Sequence, residues 1–513
     1  MWNACPGFRI SNSEFPVPMF WTRDEIRRVG YLVADLIADH LADLPHEPVF
    51  RPVPPDLAAR FLDTAAPTDG AAPDDILREF RDHVAPYPFG NGHPRFWGWV
   101  NSPPAVMGIF ADALAAAMNP SCAGGNHAAI YLEREVTRWL RDLIGFPDAS
   151  MGLLVSGGSM ATLTALAVAR HVRSAVDVRT DGLCRAAHSF AFYMSPEAHT
   201  CARKAIELLG FGSSCIRTIP AGEDYAIDVA ALEAALARDH ADGVRPIAVV
   251  ATAGTTNTGA IDDLAAIRAV CDRYGVWMHV DAAYGGPAIL ADSCRDALAP
   301  IGRADSAALD PHKWMFVPVE AGFVAVRDGE AMRDAFSLVP PYIRSAGSAT
   351  GVYGLPWFSE YGFQQTRGFQ ALKVWMTMKA MGIAGHKAAI EQNLSLARYL
   401  VDQVRAAPDL ELMAPPGLSI VCFRYVGNEA QGRSRAEGTE RSTAPAADEA
   451  TLGQLNRWLL ERLQLGGEAF LTSTELRGRF TLRACFVNYR STQADVDRML
   501  DAVRALGTTY QRK

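Results

Sequence analysis

Lys313 is the residue of this chain with the clearest potential for covalent chemistry. It stands between His312 and Trp314, after an Ala-rich segment at 306–309 and before Gly322–Val326, whose composition predicts a buried strand. Lysine is rarely buried without a partner, and its amine changes pKa readily on leaving water, which suits it to Schiff-base formation. A position in a surface loop explains a lone lysine more simply, so the neighbouring chain must decide.

A glycine-rich turn is the second feature with chemical potential. The apolar residues Leu153–Val155 predict a strand, Ser156–Ser159 follows, and a helix is predicted from Met160. Glycines let the backbone approach a ligand closely, and the free N–H groups of a first helical turn bind anions. Gly158 and Ser159 are therefore candidate phosphate contacts, although a Gly-Gly pair before a helix is also typical of a simple turn.

Four further side chains could complete a site for pyridoxal phosphate around such a lysine. Asp281 ends the predicted strand 276–281, where a carboxylate would keep a pyridine nitrogen protonated so that the ring accepts electrons. Ala283 leaves room for a flat ring, His199 could stack on it, and Thr256 could reach its hydroxyl. Each residue also has a structural explanation, but their order along the chain makes sense for one cofactor.

Three segments would position these residues. Residues 1–90 are predicted to be mainly helical, with a capping box that begins at Thr22, and have too little core to fold alone. Residues 91–390 alternate strands and helices, which indicates a mostly parallel sheet with ligands at the carboxyl ends of its strands. Residues 391–513 predict a smaller α/β domain, interrupted at about 427–450 by a polar insertion that we expect to be disordered.

Composition and charge exclude several classes of protein. The chain has 513 residues, of which 49% are hydrophobic and 21% charged, and a net charge of −8, as in a soluble globular protein. No basic stripe suggests nucleic-acid binding. The longest apolar run, 106–118, is interrupted by Asp112 and is too short to span a membrane.

The cysteines and the N-terminus bear on the compartment. Nine cysteines are scattered singly with no CxxC pair, which argues against a zinc site or a disulfide framework and for a reducing environment. Residues 1–15 lack the basic and apolar regions of a secretory signal. We therefore expect a cytoplasmic protein.

Taken together, these motifs resemble the pyridoxal-phosphate-dependent group II decarboxylases, the family of aromatic-L-amino-acid decarboxylase and glutamate decarboxylase. The resemblance covers nearly the whole chain and is most specific in Asp310–Trp314 and His279–Tyr284. It implies the type I (aspartate aminotransferase-like) α/β fold, with a small C-terminal α/β domain and an N-terminal helical segment. It also implies a homodimer with the site at the subunit interface. The other matching stretches are 93–100, 132–140, 156–163, 254–262, 366–375 and 482–483.

The resemblance implies roles for individual residues. It assigns Lys313 to the Schiff base with the cofactor, Asp281 to the pyridine nitrogen and His199 to the ring face. It places His312 in the wall of the site and gives Asp310 an indirect part in holding the phosphate, which the glycine-rich turn binds. The implied reaction is loss of the substrate carboxylate as CO2, followed by protonation of the α-carbon.

The proton donor is where this chain departs from the family pattern, in which aromatic decarboxylases use a tyrosine on a mobile loop. Counting forward from Tyr342 places that position at Tyr353, whereas counting back from Arg367 places it at Phe358. Tyr353 predicts an amine product and is the donor we favour. Phe358 would be a substrate contact typical of aldehyde synthases, and Gln370 replaces a second arginine of the family.

The substrate prediction rests on an aromatic segment. Trp97, Trp99 and Val100 match the pocket wall of aromatic decarboxylases and suit a flat apolar side chain, although such clusters often only pack in a core. Arg95 and the pair at 126–127 keep an acidic substrate possible. A non-catalytic binder of the cofactor and an aminotransferase or carbon–carbon lyase on the same fold are further alternatives.

Overall fold

The computed structural model describes residues 21–338, 352, 354–427 and 449–511, and the statements below concern these residues. Tyr353 and most of the predicted insertion lie outside them. The helices are α1 (Arg23–Asp43), α2 (Pro55–Asp63), α3 (Pro73–Glu79), α4 (Val106–Met118), α5 (Ala128–Leu143), α6 (Gly158–Arg173), α7 (Thr200–Leu208), α8 (Val229–Ala241), α9 (Leu264–Tyr274), α10 (Arg295–Leu298), α11 (Gly329–Phe336), α12 (Gln370–Ala406), α13 (Glu449–Leu465) and α14 (Gln493–Gln511). The strands are β1 (Met151–Val155), β2 (Phe190–Met194), β3 (Ile216–Thr218), β4 (Arg245–Thr252), β5 (Trp277–Asp281), β6 (Ser306–Leu309), β7 (Gly322–Val326), β8 (Leu410–Leu412), β9 (Ile420–Tyr425), β10 (Thr472–Leu476) and β11 (Arg479–Cys485).

The larger sheet has seven strands in the order β1-β7-β6-β5-β4-β2-β3. The pairs among β2 to β6 are parallel, whereas β7 runs antiparallel to both β1 and β6. Nearly every residue of β4 to β7 is buried, as expected of strands covered on both faces. The predicted mostly parallel α/β fold is therefore confirmed.

Helix α6 is the element that ties the sheet to the glycine-rich turn. It begins at Gly158, two residues earlier than the sequence predicts, and packs across β1 and β4 to β7. Eight of its residues are buried, and most of these are alanine or threonine, whose small side chains let the helix lie close to the sheet. The turn before α6 is thereby fixed against the centre of the sheet.

A second, four-stranded antiparallel sheet has the order β10-β11-β9-β8. With α13, α14 and the last turns of α12 it forms a separate hydrophobic core. The segment around Trp97 joins this sheet, because Trp97 N donates to Phe470 O and Cys485 N donates to Trp97 O, at 2.8 and 3.0 Å. The boundaries of the three proposed domains stay a prediction.

The N-terminal helices lie largely outside both cores. The capping box predicted at Thr22 is present, since Thr22 and Glu25 bond each other's backbone N–H groups. Helix α1 has no buried residue in the single subunit. None of the helices in the described part combines the length and apolar character that crossing a membrane requires.

Candidate active site

The carboxyl ends of the larger sheet's strands bring the predicted residues together. The turn at 156–159 follows β1, Asp281 ends β5, and the Lys313 turn follows β6. A cavity of about 350 Å³ opens at this edge, where ligands of such sheets bind. It is lined by Ser156, Gly157, Gly158, Ser159, Met160, His199, Cys201, Thr252, Gly254, Thr256, Asp281, Ala283, Tyr284, Asp310, His312, Lys313 and Glu320.

Lys313 points its amine at a buried carboxylate. Its Nζ lies 2.9 Å from Oδ2 of Asp310. Burial alone would lower the pKa of Lys313, but the negative charges of Asp310 and Asp281 outweigh it and raise the pKa above its ordinary value. Without a bound carbonyl compound, the amine is therefore held as a cation by two carboxylates.

Packing on both sides of Lys313 fixes the turn that carries it. The ring of Trp314 stacks on that of Tyr284, with centroids 5.2 Å apart, and its Nε1 donates to Oδ1 of Asn393 at 2.9 Å. Tyr284 in turn shares a 2.6 Å hydrogen bond with the hydroxyl of Ser419, next to the smaller sheet. The lysine turn is thus anchored to both cores.

Asp281 is held by its own turn. Its Oδ1 accepts a 3.1 Å hydrogen bond from Ala283 N, which leaves the second oxygen for a ligand. Two residues earlier on β5, His279 is fully buried between the hydroxyls of Ser306 and Thr162, at 2.9 and 3.3 Å. Burial lowers the pKa of His279 to about 4, so this ring packs as a neutral group below the site.

The glycine-rich turn has the features of a phosphate cradle. None of the described side chains caps the first turn of α6, which leaves its N–H groups available for an anion. A Cβ on Gly158 would lie 2.9 Å from Asp310 Oδ2 and 3.0 Å from the Cβ of Ala283, so only glycine keeps this space open. Thr252 Oγ1 and Asp310 Oδ1 are also buried here without a hydrogen-bond partner. Free donors, open space and unpaired polar atoms fit pyridoxal phosphate.

The structure places three more predicted residues in the cavity wall. His199 is the N-cap of α7, and its Nδ1 accepts from Cys201 N at 3.3 Å, which leaves Nε2 for other contacts. Thr256 lines the cavity through the loop after β4. His312 Nδ1 lies 2.8 Å from Ala321 O and 3.1 Å from Ala321 N, and burial lowers its pKa below the ordinary value.

None of the four residues of the predicted substrate wall lines the cavity in the part of the chain that the structure describes. Trp97 is fully buried in the smaller core, where its Nε1 donates to Ser491 at 2.9 Å, and Val100 is buried in the larger one. Phe358 packs between the guanidinium groups of Arg134 and Arg367, whose Cζ atoms lie 5.0 and 5.2 Å from its ring centroid.

Trp99, unlike the other aromatic residues of this wall, is exposed. It is 43% exposed and stacks on Phe89, with ring centroids 5.2 Å apart. Arg483 links it to the cavity, because this buried side chain donates to the carbonyls of Trp99 and Thr256 at 2.9 and 2.8 Å. Arg483 thus ties the backbone at Trp99 to the backbone of the loop that carries Thr256, although Trp99 itself does not line the cavity among the described residues.

The cations that kept an acidic substrate possible are used elsewhere. Arg95 donates to Glu468 O at 2.7 Å and pairs with Asp495, and His127 bonds Gly124 O. Among the described residues that line the cavity, Lys313 is the only lysine or arginine.

Sequence reasoning missed two polar residues of the cavity. Thr252 ends β4, so a search for polar residues at the carboxyl ends of predicted strands would have found it. Glu320 lies seven residues after Lys313 and carried no local signal. Gln370, the residue in place of the family's second arginine, donates to Glu320 Oε1 at 3.3 Å.

Comparisons with known proteins agree with the cofactor that the geometry of the cavity indicates. A family model described as the pyridoxal-dependent decarboxylase conserved domain matches residues 55–426. Aromatic-L-amino-acid decarboxylase of Bacillus atrophaeus is 34% identical over 485 residues, which cover 94% of this chain and 95% of that protein. L-2,4-diaminobutyrate decarboxylase of Rhizobium meliloti is 35% identical over 82% of this chain and 80% of its own. The crystal structure of Oryza sativa TDC with PLP and tryptamine superposes with a TM-score of 0.85 and 28% identity, covering 95% of this chain and 99% of that one.

Proposed function

We propose, from the premise that this chain belongs to the pyridoxal-dependent decarboxylase family, that it converts an aromatic L-amino acid to the amine and CO2. The observation that carries the reaction is the convergence of Lys313, Asp281 and His199 with the glycine-rich turn on one cavity. The aromatic class of substrate is supported by the nearly full-length similarity to the Bacillus atrophaeus enzyme.

Each residue that would hold the cofactor contacts a different part of it. Bound pyridoxal phosphate supplies an electron sink for the electron pair left when CO2 departs. Lys313 holds it covalently, and Asp281 holds a proton at its pyridine nitrogen. The first turn of α6, at Gly158 and Ser159, binds the phosphate, and His199 covers one face of the ring.

The substrate side chain would lie toward Trp99. This residue offers exposed ring surface and is fixed to the Thr256 loop through Arg483, so it can orient a flat apolar group. Tyr353 remains our proposed donor of the proton to the α-carbon and lies outside the described residues. An aromatic decarboxylase needs both functions, one to bind the side chain and one to complete the reaction.

A second candidate substrate is an amino acid with a second amine. Glu320 brings a carboxylate to the cavity wall, where a cationic side chain would be stabilised by its charge. The similarity to the Rhizobium meliloti enzyme, which is named for L-2,4-diaminobutyrate, supports this class.

A product assay tests these proposals together. Protein saturated with pyridoxal phosphate is offered aromatic, diamino and acidic L-amino acids, with and without O2, and CO2, amine, aldehyde and peroxide are quantified. We expect amine and CO2 in equal amounts from an aromatic substrate, independent of O2, with kcat/KM at least about tenfold above that for L-2,4-diaminobutyrate. Preference for the diamine would replace the aromatic proposal, whereas O2-dependent aldehyde and peroxide would make the protein an aldehyde synthase.

We further propose that the protein is a homodimer. Val106, Phe110, Leu114 and Met118 lie at four-residue spacing on α4, and each is exposed in the single subunit. Such an apolar stripe is typical of a helix face that another protein surface covers.

The molar mass in solution tests the dimer. Light scattering should give about twice 55.5 kDa for the unmodified protein. Leu114→Glu places a charge in the stripe and should shift the mass toward that of one subunit. Leu208→Glu is the matched control, because Leu208 is an exposed leucine of α7 outside the stripe. A monomer at micromolar concentration would contradict the homodimer, and a dimer that Leu114→Glu leaves intact would exclude the α4 stripe from its interface.

A cytoplasmic location is the remaining proposal. Eight cysteines in the described residues are free, four of them in helices or strands of the two cores. Free thiols in such number suit a reducing compartment. Cell fractionation, with recovery in the cytosolic fraction expected, tests it.

A further inference from the structure

A pocket rich in arginine lies at the opposite edge of the larger sheet from the Lys313 cavity. Its lining residues flank the amino ends of β5 and β6, since Gly275 precedes β5 and Asp305 precedes β6. Its volume is about 460 Å³, within the range of small-molecule sites. The pocket is lined by Arg173, Arg268, Cys271, Asp272, Gly275, Gly302, Arg303, Asp305 and Arg327.

The charges in this pocket do not balance. Its four arginines face two carboxylates, and both carboxylates are already bonded to one arginine. Arg268 pairs with Asp272 at 2.8 Å and with Asp305 at 2.7 Å. The pocket therefore carries a formal excess of two positive charges, in a chain whose net charge is −8.

The other three arginines have no carboxylate partner among the described residues. Arg327 donates to the carbonyls of Gly302 and Ala304, so it is fixed by the backbone and contributes its charge to the pocket. Burial lowers the pKa of Arg327, and the neighbouring charges of Arg268 and Arg303 lower it further against the opposing effect of Asp305. The guanidinium groups are thus close enough to repel each other, a repulsion that a bound anion would relieve.

Two donors in the pocket are buried without an acceptor. The Nε atoms of Arg173 and Arg268 are inaccessible to solvent and have no hydrogen-bond partner in the described structure. Arg268 is itself only 7% exposed. Because these two N–H groups lie behind the pocket surface, contact with a bound anion would come from the terminal nitrogens of the guanidinium groups.

We propose that this pocket binds a small phosphate-bearing anion. Guanidinium groups recognise phosphate oxygens through paired, charge-assisted hydrogen bonds, and the volume admits a molecule with two phosphoryl groups. Arg268 forms ion pairs with both carboxylates. Arg173, Arg303 and Arg327 are therefore the arginines available to bind the anion. The site is distinct from the cofactor cradle, because α6 has its amino end at that cradle and its last residue, Arg173, in this pocket.

Calorimetric titration of the holoenzyme with inorganic pyrophosphate tests the proposal. The cradle is first filled with pyridoxal phosphate and the excess is removed by gel filtration, so that neither the cradle nor free cofactor competes for the probe; the ionic strength is kept low so that charge interactions are not screened. We expect one saturable site per subunit. Arg303→Gln and Arg173→Gln should each weaken binding by about tenfold or more, as expected for loss of a charged hydrogen-bond donor.

Arg405→Gln provides the matched control. Arg405 is an exposed arginine of α12, far in sequence from the pocket and with no ion pair among the described residues, and its loss should leave the affinity unchanged. The visible absorption of the bound cofactor reports whether each variant is folded. Absence of saturable binding to the unmodified holoenzyme, or equal affinity in all three variants, would overturn the proposal.

Discussion

Lys313→Ala is expected to lower the rate of decarboxylation by on the order of 10⁴-fold. Among the described residues that line the cavity, Lys313 is the only lysine or arginine, so no neighbouring amine can take its place. Asp310 and Asp281 fix its position and charge, and neither can form a covalent bond to a carbonyl compound. The variant should therefore lose both the reaction and the covalent attachment of the cofactor.

Two measurements separate this result from simple misfolding. Borohydride reduction followed by peptide mass spectrometry should find the cofactor attached at residue 313 in the unmodified protein and no attachment in the variant. Lys379→Ala, which removes an exposed lysine of α12, should retain both attachment and activity. A Lys313→Ala protein that kept the visible absorption of covalently held cofactor would exclude Lys313 as the attachment site.

Most of the cofactor site was predictable because the glycine-rich turn, Asp281 and Lys313 each follow or end a strand of the same sheet. Parallel strands end at one edge of a sheet, so polar or glycine-rich stretches after β1, β5 and β6 had to meet there. The capping box at Thr22 and the strands β1, β5 and β7 were also predictable, because each depends on local pattern.

The substrate wall was less predictable because local sequence does not say which face of an aromatic segment is buried. Trp97 and Trp99 are two residues apart, yet one lies in the smaller core and the other is half exposed. Gly98 favours a turn between them, but it does not indicate which ring stays exposed; the positive φ of Trp99, 47°, is seen only in the structure. Pro318 likewise favours a turn after Lys313 without indicating that the side chain of Glu320 reaches the cavity.

Arg367→Leu is expected to destabilise the protein by about 3–5 kcal/mol, because it leaves a buried carboxylate without its partner. Arg367 forms an ion pair with Glu133, which has no exposed surface, and donates to the carbonyls of Cys122 and Leu154 at 3.0 and 2.6 Å. Leu154 lies on β1, just before the glycine-rich turn. Urea unfolding at one fixed protein concentration measures the free-energy change, since stability depends on concentration in a dimer.

The pH dependence gives this prediction a second readout. Burial raises the pKa of Glu133, and Arg367 opposes that rise in the native protein. Without Arg367 the pKa should rise further. A carboxyl group whose pKa is raised by folding stabilises the folded protein fully at a pH below the ordinary pKa. This stabilisation is lost as the pH rises through the pKa of the group in the folded protein. The variant should therefore lose more stability than the unmodified protein as the pH rises above the ordinary pKa of a glutamic acid.

A double mutant and a second ion pair identify the cause. Adding Glu133→Leu to Arg367→Leu removes the uncompensated charge and should recover part of the loss, with the unpaired carbonyl of Leu154 limiting the recovery. Arg333→Leu breaks a nearby pair with Glu360 in which Arg333 is 37% exposed, so it should cost only about 1 kcal/mol or less. Equal losses in Arg333→Leu and Arg367→Leu would mean that the buried pair of Arg367 and Glu133 contributes no more to stability than a partly exposed pair does.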